Sequence, residues 1–263
     1  MMAMNRFLNG LGRAYLGLVL VFLYLPILVM AAMSFNRSEF YQLPMVYSTV
    51  WYERLFENQA LIAAAWNSVW IAVTTTLIAT GLGAAAAIAL FRYTFRGKAL
   101  LQVLLFPPIA IPWLITGTAM LIFFYAVGIG RGSRAVILGH VALALPYVIV
   151  VVSARLRTFS PELEEAARSL GASQWQVTRY VTLPWIASGV IAGALFAFAV
   201  SFDQFVVSYF LSTPGESTLP VEIYAAIREG FTPEINAVST IIIAVSMTVM
   251  LVAARFAKFG GER

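Results

Sequence analysis

The chain has 263 residues, 61% of them hydrophobic and 11% charged, with a mean hydropathy of +0.85 and a formal net charge of +5. Soluble domains run at roughly 45–50% apolar residues, so this composition excludes an ordinary soluble domain. With no cysteine, disulfides and thiolate metal sites are excluded as well.

Charge-free runs lie at 14–36, 58–91, 99–130, 135–154, 180–202 and 235–254. Each meets or exceeds the ~20 residues that a helix needs to cross ~30 Å of hydrocarbon. Inside lipid the backbone must bond to itself, so each run is expected as a helix. The expected architecture is all-α: one transmembrane domain over 1–263, with spans near 14–35, 64–90, 101–128, 135–154, 180–202 and 235–254. The first run follows Arg6 and Arg13 in the manner of a signal peptide. Its apolar part exceeds the ~7–15 residues of a signal h-region, so it is read as an uncleaved first span. The runs at 58–91 and 99–130 are long for one straight crossing, and Pro107, Pro108 and Pro112 predict a break near 107–112.

Lys and Arg set the orientation. With the N-terminus inside, the inner segments hold 12 basic residues, among them Arg92, Arg96, Arg155, Arg168 and Arg179, and the outer loops hold 5. The positive-inside rule therefore places both termini in the cytoplasm, as expected of a multi-pass bacterial inner-membrane protein. Arg131 and Arg134, in a short outer loop, run against the rule. The basic balance follows from this topology and does not indicate nucleic acid.

The outer segment 37–57 carries Trp51 and Tyr52, residue types suited to the headgroup region. In the outer segment 203–234, "STPGES" makes a turn and "LPVEIYAAIREG" reads as a short amphipathic helix with Val221, Tyr224 and Ile227 on one side. Thr232 is the expected N-cap of the last span, followed by Pro233 and Glu234. In the fifth span Gly189, Gly193, Ala197 and Ser201 recur every four residues, a small-residue stripe that lets helices approach closely.

The inner segment 155–179 is the unusual one. Ser160 is expected to cap a helix that begins with Pro161 and Glu162, with Glu164 and Glu165 in its first turns. Leu163, Ala166, Ala167 and Leu170 fall at i, i+3, i+4 and i+7, an apolar stripe to be buried against the chain's own membrane helices, the lipid or another subunit. Gly171 sits where a helix end wants a positive φ, and Ser173 with Gln176 makes a capping box for a second helix.

The stretch "EAARSLGASQWQVTRYVTLP" resembles the EAA loop of type I ABC importer permeases: Glu-Ala-Ala, three residues, Gly, nine residues, then Ile-x-Leu-Pro. Glu165, Ala166, Ala167, Gly171, Leu183 and Pro184 match at that spacing, with Val181 in place of Ile. The chain is most similar to the C-subunit-like permeases of spermidine/putrescine importers, through "YLPILVMAAMSFN", "ALFRYTFRGK", "SFDQFVVSYF" and "TLPVEIYAAIREGFTPEINAVST". The resemblance implies a permease fold of six spans whose short inner helix docks on an ATPase. Glu165, Ala166, Ala167, Leu170, Gly171, Leu183 and Pro184 are then the coupling residues. It implies a second, homologous permease subunit, two ATPase subunits that bind ATP and Mg, and a substrate-binding protein outside. The family's acidic pair, Asp-Asp, reads Asp203-Gln204 here.

A permease for an organic cation needs carboxylates or ring faces along its path. Asp203 lies at a span's edge with Phe202, Phe205 and Tyr209 nearby, although it also marks where the span meets water. Trp113 and Tyr125 in the third span are further candidates, beside the plainer role of packing. His140 lacks an acidic partner in sequence and reads as a satisfied core histidine. Gly97-Lys98 is followed by Ala99, so no phosphate-binding loop is present, this chain carries no cofactor or catalytic site, and ATP must bind another chain. Spermidine, putrescine, another amine, an opine, an amino acid or an aminophosphonate all suit such a permease. A secondary transporter is expected to show repeated spans and buried ionisable residues. An intramembrane enzyme needs a nucleophile paired with a base. Beyond His140 and Asp203 the sequence offers neither.

Overall fold

The computed structural model describes residues 2–39, 42–105, 107–230 and 233–259. Among them the secondary structure is helical, apart from one isolated antiparallel bridge between Asn36 and Tyr47. In chain order the helices are α1 (Met2–Met33), α2 (Val50–Glu57), α3 (Gln59–Arg92), α4 (Lys98–Leu105), α5 (Pro107–Ala110), α6 (Trp113–Ala126) and α7 (Ser133–Leu156). They continue as α8 (Glu162–Ser169), α9 (Gln174–Val177), a π turn (Thr178–Thr182), α10 (Leu183–Phe202), α11 (Val206–Leu211), α12 (Leu219–Glu229) and α13 (Glu234–Phe259).

Among the described residues, four helical segments are long and apolar enough to cross a membrane: Gly10–Met33, Gln59–Arg92, Ser133–Leu156 and Gln174–Phe202. A fifth candidate is a broken one, because Lys98–Ala110 and Trp113–Ala126 meet at a bend of 116°. The break falls at the proline cluster, with Pro112 as the N-cap of α6. A proline ring cannot donate to the helix ladder and crowds the preceding turn. Thr232, the expected cap of the last helix, lies outside the described residues.

The chain divides into two compact units, 2–59 with 225–259, and 60–224. In the first, α13 packs with α1 and α2. The link after α1 folds on itself: Asn36 is buried, its Oδ1 accepts from Val46 N at 3.2 Å, and its carbonyl accepts from Trp51 Nε1 at 2.6 Å. Trp51 is only 3% exposed. Tyr52 bonds Ser34 at 2.7 Å and packs on Phe35. Both aromatics are used within this fold, where each polar tip finds a buried backbone or hydroxyl partner.

In the second unit α7 is the central helix and packs along α10. The small-residue stripe makes that contact, since Gly189, Gly193, Ala197 and Ser201 are the buried side of α10 together with Ile186. A Cβ on Gly83 of α3 would stand 2.6 Å from Val148 Cγ1, and one on Gly193 of α10 3.2 Å from the same atom. Two helices, α3 and α10, therefore close on Val148 of α7 through absent side chains. His140, on α7, is buried and satisfied: Nδ1 lies 2.8 Å from Ser201 Oγ and Nε2 3.0 Å from Ser208 Oγ. Ser208 gives its proton to the Gln204 carbonyl at 2.7 Å, so Nε2 is the donating nitrogen and Nδ1 accepts from Ser201. One imidazole thus ties α7 to α10 and α11.

Arg131, an exception to the charge rule, is used locally. It donates to the Ser212 carbonyl, while Gly132 N donates to Leu211 O at 2.7 Å. Glu216 accepts from the Ser133 backbone N–H at 2.8 Å, and this bond to the start of α7 holds its carboxyl below the usual range.

The close approach at Val148 is testable. Gly83→Leu should cost about 1–3 kcal/mol by overpacking. Gly81→Ala, whose added Cβ meets nothing within 4 Å, should be close to neutral. Thermal unfolding of the two variants in detergent, followed by tryptophan fluorescence, measures the difference.

Candidate functional site

The segment between α7 and α10 is built by local rules. Pro161, rather than Ser160, occupies the N-cap of α8, and no side chain caps it. The helix ends as expected: Gly171 takes φ +86°, its N–H donates to Arg168 O at 2.9 Å, and Ala172 N donates to Ala167 O at 3.1 Å. That pair of bonds is a Schellman closure. A Cβ at Gly171 would touch nothing within 4 Å, so the glycine is required by backbone conformation and not by space. Ser173 and Gln176 form the reciprocal capping box, with bonds of 2.7 and 3.3 Å, and open α9. The π turn follows because Pro184 has no N–H for the carbonyl four residues back. The ladder widens instead, and Leu183 N bonds Thr178 O.

Glu164 is the buried residue of α8, its side chain 8% exposed. It pairs with Arg92, the last residue of α3, and accepts from Thr182 Oγ1 at 2.8 Å. Arg168 reaches its second oxygen at 3.4 Å. Arg92 also donates to Thr182 and lies 3.5 Å from Thr178 Oγ1. An acidic helix in an apolar chain thus turns one of its three carboxylates inward. Sequence reasoning selected Glu165, which is exposed. Neighbouring glutamates look alike in a local pattern, and only the position of Arg92, far away in sequence, separates them.

With Glu164 inward, helix geometry fixes the other face. At about 100° per residue, Ala166, Leu170 and Leu163 fall about 200°, 240° and 260° around the axis from Glu164. They are exposed accordingly, Leu163 at 45% and Leu170 at 89%, while Ala167 is half-buried. The apolar stripe therefore faces away from its own bundle. Leu170 and Gly171 also border a shallow groove of about 390 Å³ that runs past Gln176 and Tyr180. Leu183 packs half-buried against the core, and Pro184 is exposed at the start of α10.

Of the other predicted site residues, Asp203, Phe202 and Tyr209 lie at or just beyond the far end of α10, which spans ~30 Å over its 20 residues. Asp203 terminates α10 and is exposed, with buried Ser201 and Gln204 on either side. Gln204 Oε1 accepts from Val206 N at 3.1 Å and so starts α11. Phe202 stacks on Phe198 at 5.7 Å. Tyr209 joins Phe205 and Tyr224, with centroids 4.9 to 5.8 Å apart, in a three-ring cluster. Tyr224 was legible only as a helix-face residue; its place in this cluster depends on the turn at 212–218. Trp113 and Tyr125 are exposed at the two ends of α6, ~18 Å apart, and share no common site with each other. Among the described residues no group of three or more His, Cys, Asp or Glu is placed to hold a metal.

A family model described as "binding-protein-dependent transport system inner membrane component" matches residues 78–259. The chain is 38% identical to the spermidine/putrescine transport system permease protein PotC of Haemophilus influenzae, over 95% of this chain and 96% of that protein. It is also 38% identical to the putrescine transport system permease protein PotI of Escherichia coli K12, over 84% of this chain and 82% of that one. Among solved structures, a bacterial ABC transporter that imports the acidic polysaccharide alginate superposes with a TM-score of 0.77 at 18% identity, covering 98% of this chain and 97% of its own. At that identity the likeness concerns the fold.

The Schellman closure gives a direct test of the α8 turn. Gly171→Val should cost about 1–2 kcal/mol by forcing a branched residue into the left-handed region. Gly171→Asn should be tolerated better. Hydrogen exchange over 162–177 reads the difference as faster exchange in the valine variant alone.

Proposed function

This chain belongs to the binding-protein-dependent transport system inner membrane components, and on that premise we propose that it is a permease subunit of an ATP-driven importer of polyamines such as spermidine or putrescine. The observation that carries the coupling part is Leu170, an apolar side chain 89% exposed on a helix whose one charged anchor points the other way. Such a surface is suited to a subunit that binds ATP and Mg, and Glu165, Ala166, Ala167 and Leu170 are its proposed contacts. Gly171 sets the bend, and Leu183 and Pro184 receive the movement at the start of α10. The chain is proposed as one permease domain of six spans with both termini cytoplasmic, the bent α4–α6 segment and α13 completing the set. It pairs with a second, homologous permease subunit. Two ATPase subunits lie beneath the α8 side, and a binding protein delivers substrate from outside.

The polyamine assignment is supported by the two transport-system relatives and by the chemistry at the far end of α10. Asp203 offers an exposed carboxylate, and Phe205, Tyr209 and Tyr224 offer ring faces, the groups that attract an alkylammonium. Phe202, Trp113 and Tyr125 extend the proposed path. The test is uptake of radiolabelled spermidine and putrescine by the assembled transporter in proteoliposomes. Uptake should require ATP and the binding protein. Tyr224→Ala should lower it by about 2- to 30-fold, the range of one cation–π contact. Asp203→Asn should lower it as well. Uptake driven by an ion gradient without the ATPase would refute the proposal.

A further inference from the structure

Resting on the reading that α8 faces the ATPase, we infer that Arg92, Glu164 and Thr182 form a clamp that passes displacement of α8 into two spans at once. Arg92 delivers it to α3 and Thr182 to α10. Glu164 is the one buried residue of α8, so the helix is held to its own bundle chiefly on that side. Both of its oxygens are engaged, one by Arg92 and Thr182 and the other by Arg168. That arrangement fixes the orientation of the carboxylate as well as its position. Apolar surfaces can slide past one another, but a buried ion pair resists separation because parting leaves two uncompensated charges. The attachment points are also at the right places. Arg92 is the final residue of the 34-residue α3, and Thr182 closes the π turn directly ahead of α10. Arg92 further braces Thr178, the first residue of the same turn. Glu164 and Arg92 are positioning residues; neither is proposed to touch substrate or nucleotide.

The test uses the complete transporter, with both permease subunits, the ATPase and the binding protein, and reads amine uptake per ATP hydrolysed. Glu164→Gln keeps the shape and removes the charge. It should lower that ratio by about tenfold, within the range for residues that carry coupling, while the ATPase still co-purifies. Arg92→Glu should do the same, and the exchanged pair R92E/E164R should recover most of the ratio. Because the chain contains no cysteine, Arg92→Cys and Glu164→Cys can be introduced together and joined by a short bis-thiol reagent. The joined protein should transport, since the two positions move as one. An unchanged ratio in Glu164→Gln, or a cross-link that stops transport, would overturn the inference. If the single variants fail to assemble, the exchanged pair decides: recovery supports the clamp and no recovery overturns it. Absent amine uptake by the wild-type transporter would count against polyamine import instead. ATP hydrolysis stimulated by the binding protein, across the same variants, would then decide the clamp.

Discussion

Burying a carboxylate in so apolar a chain is costly unless its charge is matched, and Glu164 is matched from three sides. The geometry of the inner segment depends on that match. Once Glu164 must meet Arg92, the rotation of α8 about its axis is set, and Leu163, Ala166 and Leu170 have no choice but to face outward. An exposed leucine normally calls for no explanation. Here it is the counterpart of a buried acid one helical face away, and the pair gives α8 two sides with different destinations.

The contact between α7 and α10 works by the opposite means. No ion pair holds it; the stripe of glycine, alanine and serine lets backbones come close, and dispersion, one histidine network and the Arg155 side chain on Trp185 keep them there. The α8 end and the aromatic end of the second unit are thus joined by a helix that is tightly packed along one side. A displacement at Thr182 has a stiff element to travel along before it reaches Asp203.

Features governed by neighbours in sequence were legible before the structure. The apolar runs, the proline break before α6, the Gly171 turn, the Ser173–Gln176 box and the small-residue stripe all follow from residues within a few positions of each other. Features governed by distant partners were not. Glu164 and Glu165 are equivalent until Arg92 is placed beside one of them. The burial of Trp51 follows only once the chain after α1 folds back and presents the Asn36 carbonyl. Arg131 stands against the charge rule in sequence alone, and its partner, the Ser212 carbonyl, comes from 81 positions away. Ser160 is not the cap because Pro161 stands at the N-cap of α8, and a proline has no side-chain acceptor to offer the first turn.

The π turn has one further implication, for how the length of this segment can vary. A π turn holds one residue more than the α-helical turn it replaces and takes it up by widening, so the helices on either side keep nearly the phase they would have without it. Between Thr178 and Thr182 the chain therefore carries one residue whose loss need not re-aim α10. What such a loss would remove is the widened turn itself, with Thr178 and Thr182 at its two ends and Arg92 in reach of both. A deletion here would be felt in the contacts of the two threonines rather than in the aim of the glycine stripe.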